Sequence, residues 1–261
     1  ISYTEFSYQL LQAYDFRELH RRHRCTMQMG GSDQWGNITA GIELIRRMDG
    51  AAAHGFTHPL VGKSDGTKFG KTESGTVWLD PARTSPYEMY QFWLNTADAD
   101  VVRFLKLYTF LSVPEIDELR ATTERTPEKR EAQRVLAREV TRLVHGDESV
   151  RDAETITASL FTGDVAGLSA NQLRQAFAGA PTTELAPGEL DAPLVDILVR
   201  VGLAESKRHS RELITTGAIQ VNGQRVSGAD AVLSHEAVLP GGFVVFRKGK
   251  KTFHIAKLMG K

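Results

Sequence analysis

Apolar side chains recur at helical spacing from the start of the chain. Phe6, Leu10, Tyr14 and Leu19 predict a helix over residues 3–24. The basic run His20-Arg21-Arg22-His23-Arg24 suits its C-terminal end, where the helix dipole favours cations. Residues 25–29 read as a short strand and lead into the turn-rich Gly30-Gly31-Ser32-Asp33-Gln34-Trp35-Gly36-Asn37. Residues 38–48 are helical again, with Ile42 and Ile45 on one face. Strands are expected at 57–61 and 77–79, on either side of a glycine-rich loop. Alternating strands and helices favour part of an open α/β sheet. Ligands of such sheets gather at loops beyond the carboxyl ends of the strands, and both glycine-rich loops here follow a strand.

From residue 84 the pattern becomes a succession of helices. Ser85-Pro86-Tyr87-Glu88 and Ser112-Val113-Pro114-Glu115 both have the S-x-x-E form of a capping box. Thr126-Pro127-Glu128 opens a further amphipathic helix through His145, and the helical block runs to 162. Residues 163–192, rich in Gly, Ala, Pro and Thr, read as a linker in which Ser169-Ala170-Asn171-Gln172 caps one short helix. Residues 193–261 carry two short helices, then strand-like segments around Val221-Asn222-Gly223-Gln224. Asn-Gly between apolar runs is a strong hairpin signal. No internal repeat is found.

Composition adds little to that outline until charge is considered. The 261 residues are 41% hydrophobic and 25% charged, a globular balance with room for one to three domains. No run of 18 apolar residues predicts a membrane span, and no signal segment opens the chain. Ile1 stands within a helical pattern, so an incomplete N-terminus is expected. A single Cys25 excludes an internal disulfide framework and fits a reducing cytoplasm. Formal net charge is zero, yet residues 193–261 hold 11 Lys/Arg against 5 Asp/Glu, leaving 21 against 27 elsewhere. A basic tail on an acidic body fits a polyanionic partner, or simply a solvated charged face.

Two stretches carry candidate chemistry. In Asp65-Gly66-Thr67-Lys68-Phe69-Gly70-Lys71-Thr72 the ending imitates a P-loop, but the first glycine is misplaced and β-type residues follow where a helix must start. Two lysines on a glycine-rich loop still suit a triphosphate, whose developing charge they would neutralise; a solvated hairpin is the alternative. Tyr8, Gln12 and Asp15, spaced i, i+4, i+7, share one helix face beside Leu11. That face reads as a pocket wall, or as an amphipathic helix with incidental polar residues. Metal-ligand spacings and nucleophile motifs are absent, so Glu43, Asp49, His54 and His58 read as structural or surface. Trp35 reads as core.

Lys68-Phe69-Gly70-Lys71-Thr72 with Glu73-Ser74-Gly75 resembles the K-M-S-K-S loop of class I aminoacyl-tRNA synthetases, in the variant of the bacterial-type tyrosyl-tRNA synthetases. Gln12-Ala13-Tyr14-Asp15-Phe16, the GGSDQWGNI run at 30–38, Pro59-Leu60-Val61 and Thr84-Ser85-Pro86-Tyr87 recur in that family's order. The likeness covers nearly the whole chain. It implies the second half of a Rossmann-like catalytic domain at 1–83 and an all-α anticodon-recognition domain at 84–162. A small α+β RNA-binding domain would follow at 193–261, where Gly-Leu-Ala-Glu-Ser-Lys-Arg resembles the fold shared with ribosomal protein S-four. By resemblance Tyr8 and Gln12 hold the α-ammonium group of tyrosine, Asp15 accepts from its phenol, and Gln28 and Gln34 line the same pocket. Gly31 and Asp33 would contact the ribose of ATP, and Leu60 and Val61 its adenine. Lys68 and Lys71, with Thr72 beside them, would stabilise the transition state. Lys207, Arg208 and Arg211 would hold RNA through its phosphates.

The implied reaction joins L-tyrosine to tRNA(Tyr) through tyrosyl-adenylate, with Mg²⁺ on the ATP, in a cytoplasmic homodimer that has no DNA or membrane partner. Tryptophan specificity is disfavoured by Asp15 and by the basic tail. None of the eight histidines forms the family's H-x-G-H motif, so a polypeptide that began at Ile1 is expected not to activate tyrosine. The alternative is a non-catalytic protein that binds structured RNA on a synthetase scaffold.

Overall fold

Ser2 caps the first helix: its hydroxyl accepts from the Glu5 N–H at 3.2 Å while the Glu5 carboxylate accepts from the Ser2 N–H at 2.7 Å. Two donors without helical partners are thereby satisfied. The structure, a computed structural model, describes residues 2–62, 64, 76–226, 228, 230–249 and 252–258. It divides into two units, Ile1–Ser74 and Gly75–Lys261.

In the first unit α1 (Tyr3–His23), β1 (Met27–Gly31), α2 (Trp35–Asp49) and β2 (His54–His58) follow in order. The strands pair in parallel, Gln28 opposite Gly55 and Gly31 opposite His58. Both are displaced from the expected 25–29 and 57–61. The Gly30-Gly31 pair, read as a turn, instead ends β1, because a parallel ladder needs only backbone there. The small core holds Phe16, Ile45 and Ala53, with Ile42 and Cys25 packed against it. A bidentate ion pair, Arg17 to Asp49 at 2.8 and 2.7 Å, ties α1 to the end of α2.

The apolar pattern that predicts α1 does not point into this core. Ala13 and Phe16 are buried, whereas Tyr3, Phe6, Leu10 and Tyr14 are exposed. Those four side chains fall within an arc of about 80° and form one stripe. Trp35, expected in the core, is 53% exposed.

The second unit opens with a corrected segment. Residues 77–79 form no strand; the Trp78 N–H donates to Thr84 Oγ1 at 2.9 Å, and the Arg83 guanidinium stacks 3.3 Å from the Trp78 ring centroid. Helices α3 (Pro86–Leu94), α4 (Asp98–Tyr108), α5 (Val113–Arg125) and α6 (Glu131–Thr162) then pack together. The Ser85–Glu88 capping box forms, and the Ser112 N–H donates to the Glu115 carboxylate. Thr126-Pro127-Glu128 does not begin α6: α5 ends there, a 3-10 turn covers Pro127–Lys129, and α6 is broken at Gly146 (φ 82°, ψ 173°).

The stretch read as a linker at 163–192 carries α7 (Ala170–Ala176) and β3 (Thr182–Leu185). Leu168, Leu173 and Leu185 are fully buried. Then come α8 (Leu194–Arg200), α9 (Lys207–Thr215), β4 (Ile219–Val221), β5 (Gln224–Arg225), β6 (Phe243–Lys248) and β7 (Thr252–Leu258). The sheet order is β3-β7-β6-β4-β5, antiparallel except for the parallel β3–β7 pair. One face covers α8 and α9 through Leu198, Ile214, Val244 and Phe246. The other contributes Phe243, Val245 and Ile255 to a core shared with Ile156 of α6 and Leu173 of α7. The Asn-Gly hairpin is realised with both residues left-handed, Asn222 at φ 51° and Gly223 at φ 88°.

Candidate functional site

Three elements of the first unit converge on an open hollow of about 510 Å³. Tyr8, Leu11, Gln12 and Asp15 line it from α1, Gln28 and Met29 from β1, and Gln34 from the turn after β1. The five polar residues expected to share a pocket therefore do so. Leu11 and Met29 are its apolar walls. Leu11 lies on the arc of α1 that carries Tyr8 and Asp15, so helical spacing alone marks it; Met29 had no comparable signal.

Hydrogen bonds fix part of this lining. Gln34 donates from Nε2 to Asp33 Oδ2 at 3.0 Å and accepts at Oε1 from Asn37 Nδ2 at 3.1 Å. Gln9 donates to the Gly36 carbonyl at 3.3 Å, joining α1 to the first turn of α2. Gln28 Oε1 is buried and has no hydrogen-bond partner among the described residues. A buried acceptor left so is unfavourable unless a donor arrives.

The neighbouring turn brings Gly31, Asp33 and Leu60 together. A Cβ on Gly31 would lie 2.6 Å from Asp33 Oδ1 and 2.8 Å from Leu60 Cδ2. Gly31 has φ −68° and ψ 160°, an ordinary extended conformation, so its glycine is needed for space and not for backbone freedom. Asp33 is exposed, Leu60 is 59% exposed, and Val61 beside it is half-buried. Lys68, Lys71 and Thr72 lie outside the described residues.

Of the residues set aside as structural, Asp49 holds Arg17, and its carboxyl is kept below the usual carboxylate range by that guanidinium. Glu43 is held down to about 2 by hydrogen bonds from Arg46 and Arg47. Both are stabilising ion pairs at the helix surface. Among the described residues no group of three His, Cys, Asp or Glu is placed to hold a metal ion, and no helix is long and apolar enough to cross a membrane.

In the second unit Lys207, Arg208 and Arg211 are exposed on α9, which Ser206 caps by accepting from the His209 N–H at 3.2 Å. Lys207 Nζ lies 2.8 Å from Asp196 Oδ1. Other cations of this basic region are used internally: Arg200 pairs with Glu189, Lys248 donates to the Leu203 carbonyl, and Arg247 lies over Phe253.

Comparison with known proteins gives the family. The family described as "tRNA synthetases class I (W and Y)" matches residues 1–162, and the "Tyrosine--tRNA ligase SYY-like C-terminal domain" matches residues 172–256. The chain is 55% identical over 258 residues to the tyrosine–tRNA ligase of Geobacillus kaustophilus and 52% identical to tyrosine–tRNA ligase 1 of Bacillus cereus. Each match covers 98% of this chain and 61% of the relative, so the chain spans about three-fifths of their length. Among solved structures, a C-terminally truncated mitochondrial tyrosyl-tRNA synthetase of Aspergillus nidulans superposes with a TM-score of 0.51 at 34% identity, over 62% of this chain and 46% of that one. With a match over more than half its length, the chain belongs to the class I tRNA synthetases of the W and Y group.

Proposed function

We propose that the protein carrying this chain is a tyrosine–tRNA ligase, forming tyrosyl-adenylate from L-tyrosine and ATP and passing the tyrosyl group to tRNA(Tyr). The observation that carries the reading is the hollow in which Tyr8, Gln12, Asp15, Gln28 and Gln34 meet beside the Gly31–Asp33 turn. Its polar groups suit the two ends of tyrosine. Tyr8 and Gln12 would hold the α-ammonium group, and Asp15 would accept from the phenol. Gln28 Oε1 offers an acceptor already removed from water.

In this reading a carboxylate oxygen of tyrosine attacks the α-phosphorus of ATP and pyrophosphate leaves. The adenylate's acyl group then moves to a terminal ribose hydroxyl of the tRNA. No covalent enzyme intermediate is formed, so positioning and charge stabilisation carry the rate. Asp33 would receive the ribose hydroxyls, and Leu60 and Val61 would flank adenine. Lys68 and Lys71, with Thr72, would neutralise the triphosphate as it breaks, and Mg²⁺ would travel on the phosphates. The protein is also read as a homodimer, on the resemblance to the bacterial-type tyrosyl-tRNA synthetases alone. A cytoplasmic setting belongs to the same reading, on the resemblance to bacterial-type enzymes. In the C-terminal unit Lys207, Arg208 and Arg211 would contact RNA phosphates, and α3 to α6 would form the anticodon-recognition part.

Asp15 offers the decisive test. A site built to hydrogen-bond a substrate hydroxyl rejects the analogue lacking it by about 10⁴–10⁵, a range set by synthetases of this very kind. In tyrosine- and phenylalanine-dependent exchange of pyrophosphate into ATP, Asp15→Ala is expected to reduce the preference for tyrosine by a factor on the order of 10³. An unchanged preference in an active, folded variant would remove Asp15 from the recognition of the phenol and leave the reading without its specificity.

A further inference from the structure

Lys207 and Arg211 lie one turn apart on α9 and line a hollow of about 440 Å³ together with Pro193, Val195, Asp196 and Asp230. Two cations thus share one small concavity with two carboxylates. Arg208, the third cation of the helix, does not line it. Asp196 belongs to the first turn of α8, and its Oδ1 stands 2.8 Å from the Lys207 ammonium.

This ion pair is not what joins the two helices. The side chains of Lys207 and Asp196 are 62% and 42% exposed, and pairs so open to water contribute little to folding. The helices are already held by Leu194, Ile197 and Leu198 of α8 packed in one core with Ile214 of α9. What the carboxylate does is occupy Lys207. An oxygen at 2.8 Å from an ammonium sits where a phosphate oxygen would otherwise sit, and it cancels the charge that would draw a phosphate in.

We propose that Asp196 is an internal competitor for RNA phosphate at Lys207. The inference rests on the reading of α9 as an RNA-contacting helix. Without RNA, Asp196 holds Lys207 in the hollow and lowers the attraction of this face for polyanions at large. RNA whose phosphates also reach Arg208 and Arg211 displaces the carboxylate, so binding favours a backbone of the right shape over charge alone.

The test compares the full chain with Asp196→Asn, Lys207→Ala and the double variant, using fluorescence anisotropy with a labelled, folded tRNA transcript over a potassium chloride series. Asp196→Asn is expected to bind about two- to fivefold more tightly at low salt. Its slope of log K against log salt should stay near that of wild type, because Lys207 reaches phosphate in both complexes and the variant is spared only the displacement of Asp196. The gain in affinity should vanish in the Lys207→Ala background. Asp196→Ser provides a second neutral side chain should the amide disturb the first turn of α8. Wild-type affinity in both neutral variants would overturn the proposal while leaving RNA binding by α9 intact. So would a gain that persists without Lys207, because the effect would then be bulk charge. Absence of salt-dependent binding in every protein, wild type included, would overturn the proposal and the RNA reading together.

Discussion

Gly31 shows how much a site can hang on one missing methyl group. Its backbone is unstrained, so alanine is allowed by conformation, and its Cβ would push aside the Asp33 carboxylate and the end of the Leu60 side chain. Because Asp33 and Leu60 are surface side chains that can swing away, the loss is expected in the binding of nucleotide and not in folding. On the proposed reading, Gly31→Ala in the longer protein that carries this chain should raise the KM for ATP about tenfold or more in pyrophosphate exchange. The KM for tyrosine and the melting temperature should stay near wild type; an equal rise for both substrates would argue against a local role. At this scale the sequence was informative wherever one element carried the whole signal. Tyr8, Gln12 and Asp15 declare a shared face by spacing alone, and Gln28 joins them from β1 and Gln34 from the turn after it. Met29 was not legible, since nothing in the order of residues says which strand positions will border a concavity. The orphaned Gln28 acceptor is likewise a property of burial, invisible before the fold is known.

Among the elements, the β4–β5 hairpin is the one most fully written in the sequence. Asn222 and Gly223 both take the left-handed conformation that such a two-residue turn demands. Asn222 also donates to the Ala237 carbonyl at 2.6 Å and accepts from the Val245 N–H at 2.9 Å. The turn then meets the end of α6, where a Cβ on Gly223 would lie 1.8 Å from the Gly163 carbonyl oxygen. Gly223→Ala should therefore destabilise the second unit by about 2–4 kcal/mol in urea unfolding, combining left-handed strain with a clash against backbone. Gly249→Ala separates the two contributions: its φ is +63° but nothing lies within 4 Å of the added carbon. It should cost only about 1–2 kcal/mol. Equal losses at both positions would mean that the contact with Gly163 contributes nothing. By contrast, β3 was read as linker. It is four residues long, and its partner is remote: Thr182 pairs with Ile255. Local composition cannot announce a ladder whose other strand arrives so much later, nor could it foresee that Gly30 and Gly31 end a strand.

For the whole second unit, pH becomes a variable through two imidazoles, His254 buried and His145 half-buried. His254 on β7 is bonded at Nε2 to Thr183 Oγ1 of β3 at 2.9 Å, and burial holds its pKa below the ordinary 6.5; burial does the same to His145, beside the break in α6. Both groups take up protons more readily when unfolded than when folded. Their contribution to stability is therefore complete above about pH 6.5 and is lost as pH falls below it. Urea midpoints of the chain should decline from pH 7 toward pH 5, and His254→Gln should flatten part of that decline. A profile unaltered by the substitution would show that His254 does not couple to unfolding. The bond between His254 and Thr183 also marks where the sheet closes. Strand β7 is inserted between β3 and β6, although it is the last of the three to leave the ribosome. Until Thr252–Leu258 has emerged, β3 and β6 both present open edges, and Leu185 and Phe246 lack part of their cover. Translation that stalls shortly before β7 would yield a nascent chain whose second unit is still unzipped. Its exposed strand edges would be ready substrates for chaperones and proteases, and only chains read through β7 would be released with that unit locked.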